Sequence, residues 1–244
     1  MDGLLKPCFS RERGFRYKGG NRMKKVIFCF VFIFSMAIVF SSAHAENEKY
    51  KDCYKYRAIN MGSEQQARSD FEKAIQLEPN NARANYCLGI YHNSLGKYED
   101  CQKAVDYYRK ALKSETGKGN IELIKKALGI SLYNIGMCWK DGREVPKDDL
   151  TSFIYFFEAA NIGNRNAQFE LGSIYSAGIV GSSDKVRAYM WWNLAAAQEH
   201  YQASIRRDLI TVNMTEEEVE QAQRMSFKFI SESGKKEARP NVNQ

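Results

Sequence analysis

Apolar positions along most of this chain recur at helical spacing, in segments separated by glycine, proline or Asx residues. Gln65–Pro79 carries Ala67, Phe71, Ala74-Ile75 and Leu77 on one helical face. Pro79 stops that helix, because its ring clashes with a preceding carbonyl and it has no N–H. Upstream, Asn47–Met61 reads as the partner helix, with Gly62 in the turn. The same arrangement returns 34 residues later, where Gly96 answers to Gly62, Cys101 to Ala67 and Cys87 to Cys53. Further along, Ile135-Gly136-x-x-Trp139-x-x-Gly142 precedes Ser152–Asn161. A clearer copy lies 36 residues on, Leu171-Gly172-x-x-Tyr175-x-x-Gly178 followed by Ala188–Ala197. A period of this length marks stacked helix pairs, each too small to bury its own apolar face.

Local signals place the helix ends. Thr116–Asn120 reads as a turn with Asn120 as N-cap of the next helix. Asp148 and Asp184 are placed to cap second helices after the loops Asp141–Lys147 and Ala177–Ser183. Thr215 and Glu218 form a capping box, and Met214 with Val219 a hydrophobic staple. That last helix is expected to reach about Ser231 and close the open end of the stack, leaving a polar, disordered tail over 232–244.

With these positions laid out, residues 46–116 resemble two tetratricopeptide repeats, marked by Leu88-Gly89, Leu95-Gly96-Lys97-Tyr98 and Lys110-Ala111-Leu112. Residues 117–202 resemble two Sel1-like repeats, the relatives with a longer loop between helices. The most specific stretch is Ala188-Tyr189-Met190-Trp191-Trp192-Asn193-Leu194-Ala195-Ala196-Ala197. The resemblance implies an all-α, right-handed α-solenoid of about four helix pairs with C-terminal capping helices over 203–231. It also implies that first helices line a concave face. Transferring the inward positions of the family gives one row of Asp52, Tyr86, Tyr133 and Phe169 and another of Tyr56, Ile90, Met137 and Ser173, with Lys49, Arg83 and Asn93 nearby. Tyr56, Tyr86, Ile90, Tyr133, Met137 and Phe169 are the expected partner-binding stripe, suited to an extended peptide or a partner helix. The alternative is that some of them pack against each other. Asp52 and Tyr86 stand where a C-terminal carboxylate clamp needs cations, which argues against that mode.

The amino terminus changes the charge picture. Met23-Lys24-Lys25 leads into the apolar run Val26–Phe40 and then Ser41-Ser42-Ala43-His44-Ala45, a signal-peptide pattern with cleavage expected between Ala45 and Glu46. The run is shorter than the roughly 20 residues a membrane span needs, so a retained anchor is the weaker reading. Residues 1–22 read either as an upstream extension ahead of Met23 as initiator or as a long basic leader. The chain carries +7, but eight basic and two acidic residues fall in 1–45, leaving 28 against 27. The excess of positive charge thus belongs to the leader and gives no support to nucleic-acid binding. An exported chain meets an oxidising compartment, where disulfides persist. Cys53, Cys87, Cys101 and Cys138 remain, and either a Cys87–Cys101 bridge or small buried thiols fit.

Catalytic signals are sparse. Ser-x-x-Lys occurs at Ser94–Lys97, Ser182–Lys185 and Ser233–Lys236, without the Ser-Asp-Asn or Lys-Thr-Gly partners of a class A β-lactamase site. His92 and His200 lack a nucleophile partner and read as partly exposed helix residues. No cofactor or metal is implied. The expectation is an exported, periplasmic or secreted, non-enzymatic scaffold for a protein or peptide, with no stable membrane insertion after cleavage. Its rivals are a β-lactam- or cell-wall-ligand-binding protein with weak hydrolase activity and a secreted factor acting on a host protein; oligomeric state is left open.

Overall fold

The structure, a computed structural model, describes residues 64–238, with side chains described from 68 to 233. The chain divides into two units, 1–45 and 46–244, and every described residue belongs to the second. The leader with its Ala45–Glu46 junction, the helix expected over Asn47–Met61 with Tyr56, and residues 239–244 lie outside the described residues.

Among the described residues there are helices and no strand. They are α1 Glu64–Leu77, α2 Ala82–Leu95, α3 Tyr98–Ser114, α4 Lys118–Asp141, α5 Asp149–Asn161, α6 Arg165–Ala177, α7 Lys185–Ala196, α8 Tyr201–Thr211 and α9 Glu216–Ala238. Each packs on the next from α1 to α8, and α9 returns to α7. This is an α-solenoid in which α2, α4, α6 and α8 are first helices and α1, α3, α5 and α7 second helices. Helix α9 caps the stack on the second-helix side.

Short-range caps start several helices. The carboxylate of Asp148 accepts from the N–H groups of Leu150 (2.9 Å) and Thr151 (3.2 Å), and that of Asp184 from Arg187 (2.8 Å). Hydrogen bonds to the carboxylate hold the Asp148 carboxyl below its ordinary range, the Thr151 hydroxyl contributing most. Thr215 N–H donates to Glu218 Oε2 (2.8 Å), and Glu218 N–H donates to Thr215 Oγ1 (3.2 Å), which is the expected capping box. Asn120 departs from expectation. It sits buried inside α4, whose N-cap is Gly117. Ile124 and Leu128 are buried on the same stretch, so the apolar face drives the helix through the expected turn. Helix α9 likewise runs past Ser231 to Ala238.

One contact recurs in three successive pairs. A first-helix glycine sits under an aromatic ring of its second helix: Gly89 under Tyr108, Gly136 under Phe156, Gly172 under Trp192. A Cβ on Gly136 would lie 2.7 Å from the Phe156 ring, and one on Gly89 or Gly172 closer still to its ring. Hydrogen here lets the helix backbones approach and the ring fill the space between them. Tyr108 and Phe156 join one continuous core reaching from Tyr86 to Leu194, while Trp192 packs in a second cluster with Ala188, Ala195 and Ala203; Trp191 and Trp192 are both buried.

The cysteines differ from the expected Cys87–Cys101 bridge. Cys101 and Cys138 are free thiols, both buried, whereas Cys87 is disulfide-bonded to a partner outside the described residues. Cys101 lies instead in the core on α3, where its thiol is pushed up to about 11 by burial and then by nearby Cys138, Asp100 and Glu144.

Candidate binding surface

The expected stripe divides in two. Tyr86 is fully buried and Ile90 is buried too, because α2 is enclosed by α1, α3 and α4 and the Tyr86 ring packs on Tyr108 with centroids 5.8 Å apart. These two positions belong to the core rather than to an exposed face. Tyr133 and Met137 on α4 and Phe169 on α6 remain half-buried and packed against the core clusters. Tyr56 lies outside the described residues.

Helix α4 therefore carries what the first helices can offer. Ile130 is exposed, and Tyr133, Asn134 and Met137 follow at spacings of three, four and seven, so they share a face. The Tyr133 ring leans on Phe156, 5.7 Å between centroids. Burial pushes its hydroxyl up from the ordinary tyrosine value, and the carboxylates of Glu170 and Asp141 push in the same direction. That phenol is neutral at physiological pH, giving apolar area with a hydrogen-bonding tip. On α6, Phe169 stacks on His200 at 4.7 Å and 14°. Its carbonyl accepts from Trp192 Nε1 (3.2 Å) and from the Ser173 hydroxyl (3.1 Å), which holds the backbone beneath the ring.

Two polar bridges tie successive first helices together. The Ser131 hydroxyl donates to Asn93 Oδ1 at 2.7 Å, joining α4 to α2. Lys140 Nζ meets Glu170 Oε2 at 2.7 Å, joining α4 to α6, with Glu170 nearly buried. Lys140 and Glu170 were not singled out from sequence. Thirty residues separate them, and only stacking of the repeats brings them together. A second concavity, an open cleft of about 480 Å³, is lined by Lys97, Tyr98, Glu99, Gln102, Glu144 and Val145. Its walls mix both signs of charge. Glu144 accepts there from the Tyr98 N–H at 2.8 Å and caps α3 from a distant loop. Glu144 has φ +64°, a conformation uncommon for residues other than glycine.

Five of the positions tested for chemistry make contacts within the fold. The Ser94 hydroxyl donates to the Tyr91 carbonyl (2.7 Å), Lys185 Nζ to the Asn213 carbonyl (2.7 Å) and the Ser233 hydroxyl to the Phe229 carbonyl (2.9 Å). His92 is buried rather than partly exposed, with Nδ1 3.0 Å from Asp100 and its ring stacked on Tyr107. His200 caps α8, its Nδ1 accepting from the Ala203 N–H at 3.2 Å. Among the described residues no cluster of three His, Cys, Asp or Glu side chains could hold a metal ion, and no helix is long and apolar enough to cross a membrane.

Comparison with known proteins matches this architecture. Residues 71–103 fit the tetratricopeptide repeat model, and residues 129–164 and 165–200 each fit the Sel1 repeat model. No curated protein sequence matches the chain. Among solved structures, it is similar to a protective antigen present in uropathogenic Escherichia coli strains that displays an SLR fold. The two share 25% identity with a TM-score of 0.51, over 81% of this chain and 42% of that one. It also matches a Sel1 repeat protein from Oxalobacter formigenes, at 26% identity and a TM-score of 0.40, over 57% of this chain and 96% of that one. The chain thus spans less than half the length of the Escherichia coli protein.

Proposed function

We propose, for a chain that carries one tetratricopeptide repeat and two Sel1 repeats, that it is an exported scaffold which holds a peptide or partner helix on the first-helix face of α4 and α6. Proteins built of such repeats generally mediate protein–protein interaction and are typically non-catalytic. The observation that carries the reading is the run Ile130, Tyr133, Asn134 and Met137 on α4, bordered by the Lys140–Glu170 bridge and by Phe169 on α6. An apolar floor with a charge pair at its edge favours a ligand that lays aliphatic or aromatic side chains along the helix and keeps its polar side in water.

Two features support export. The leader pattern ends in Ala43-His44-Ala45, and Cys87 is held in a disulfide, a bond that persists in oxidising compartments and is rare in the cytosol. The similarity to a protective antigen favours a repeat surface met from outside the cell.

Crosslinking in the native compartment tests the reading. Wild-type protein should capture a partner that Ile130→Asp/Met137→Lys loses, with the helical circular dichroism of the two proteins alike. Equal capture by both would remove the α4 face as the binding surface. Recovery of mature protein beginning at Glu46 from the periplasm or medium tests export, and its retention in the cytosol would overturn that part.

A further inference from the structure

The outer side of α8 is the least finished surface of the solenoid. First helices α2, α4 and α6 are each packed between second helices before and after them. Helix α8 packs on α7, while α9 also turns to α7, burying Ala222 and Ser226 and setting Phe229 on Trp191 at 5.3 Å. On α8, Ala203 is buried, and Ile210 on the same face is half-buried. The opposite face carries Tyr201, Ile205, Leu209 and Val212, exposed by 77%, 41%, 60% and 82%. These fall at i, i+4, i+8 and i+11, one stripe along the helix. A terminal repeat normally shows solvent a polar outer face, and this one shows aliphatic and aromatic side chains.

We propose that the carboxy-terminal end of the solenoid is a homodimer interface, in which α8 packs antiparallel on α8 of a second copy of this chain. The spacing is self-complementary. Antiparallel pairing about Arg207 sets Ile205 against Leu209 of the other copy and brings Tyr201 within one residue of Val212, and the same contacts repeat across the two-fold. The charges at the stripe's edge are already matched, because Arg207 Nη2 lies 2.7 Å from Asp208 Oδ1 and its Nη1 donates to Asn193.

The area reaches what a dimer needs. Covering four such side chains on each copy removes roughly 1,000 Å² from water, the lower bound for a specific interface. An isologous contact closes at two copies and leaves the α4 face unused, so the inference stands apart from the binding reading above.

Sedimentation equilibrium of the purified protein should show a monomer–dimer equilibrium with a dissociation constant on the order of 1–100 µM. Ile205→Glu/Leu209→Glu should weaken it at least tenfold with unchanged helical content, while Leu150→Glu, an exposed apolar position on α5, should leave it intact. A second measurement needs no loss of packing: Asp208→Cys, beside the two-fold, should crosslink to itself through a short bis-maleimide. A protein that stays monomeric to about 200 µM overturns the proposal. So does a dimer indifferent to the paired glutamates, a dimer lost equally in Leu150→Glu, or an Asp208→Cys variant that does not crosslink.

Discussion

Replacing Gly172 by alanine tests the glycine-under-ring contact that repeats through the stack. The new Cβ would sit 2.8 Å from Trp192 Cε2 and nearer still to Cδ1 and Nε1, where carbon atoms prefer about 3.5–4.0 Å. The ring has little room to yield. Trp192 is buried, and its Nε1–H donates to the Phe169 carbonyl at 3.2 Å, so moving the indole by about an ångström strains or breaks that bond. Overpacking costs about 1–3 kcal/mol and the weakened hydrogen bond about 1, while alanine's better helix propensity returns about 1. The balance is a loss of about 1–3 kcal/mol. Gly119→Ala is the control, since nothing lies within 4 Å of its Cβ, and it should be neutral or slightly stabilising. Urea unfolding followed by far-ultraviolet circular dichroism and by tryptophan fluorescence reads both, the two probes together detecting any loss of two-state behaviour in a repeat array. In a Trp192→Phe background the smaller ring should absorb the methyl group and the Gly172→Ala penalty should fall by half or more. A Gly172→Ala protein as stable as wild type, with the ring contact otherwise intact, refutes the argument.

Two further expectations come from titrating groups. His200 has its pKa lowered, first by burial and also by the Arg165 charge, which outweigh a hydrogen bond to its own backbone and the Glu170 carboxylate. The folded state therefore favours neutral His200, and its contribution is complete above the unfolded value of about 6.5. As pH falls below that value the unfolded chain binds the proton first, so stability declines until the folded pKa is passed. His200→Asn keeps a capping side chain and should flatten that part of the profile; hydrogen exchange of α8 amides at pH 7.5 and 5.5 shows it, and an unchanged slope counts against the role. For Cys101, a thiol pushed up to about 11 should alkylate at pH 8 about two orders of magnitude more slowly than a free thiol, and at an ordinary rate once the protein is in urea. Rapid labelling of the native protein contradicts this, and peptide mapping of the same samples should find Cys87 in a disulfide that does not include Cys101.

Features read correctly from sequence are those whose cause lies within a few residues or within one period. The caps at Asp148 and Asp184 and the Thr215–Glu218 box involve groups no more than three residues apart, so the residue types alone define them. The glycines and aromatics recur because every helix pair meets the same steric demand, which makes the repeat visible as a period. At the candidate site, Tyr133, Met137 and Phe169 were legible as first-helix positions. Tyr86 and Ile90 looked equivalent and are not, because helix spacing gives the face of a side chain but not how many neighbours cover that face.

What the sequence determined by itself is the all-helical stack, since its period, small residues and caps are local or repeated constraints. The tertiary structure decided matters that depend on which distant surfaces meet. Glu144 caps α3 from 46 residues away, and Lys140 reaches Glu170 across two helices. Asn120, a good cap in isolation, is drawn into α4 because burying Ile124 and Leu128 outweighs a side-chain cap worth about 1 kcal/mol. The choice of α9 to pack on α7, burying Ala222 and Ser226, leaves the stripe of α8 open to solvent. Each of these outcomes is set by competition for buried area between elements far apart in the chain, a quantity no local pattern contains.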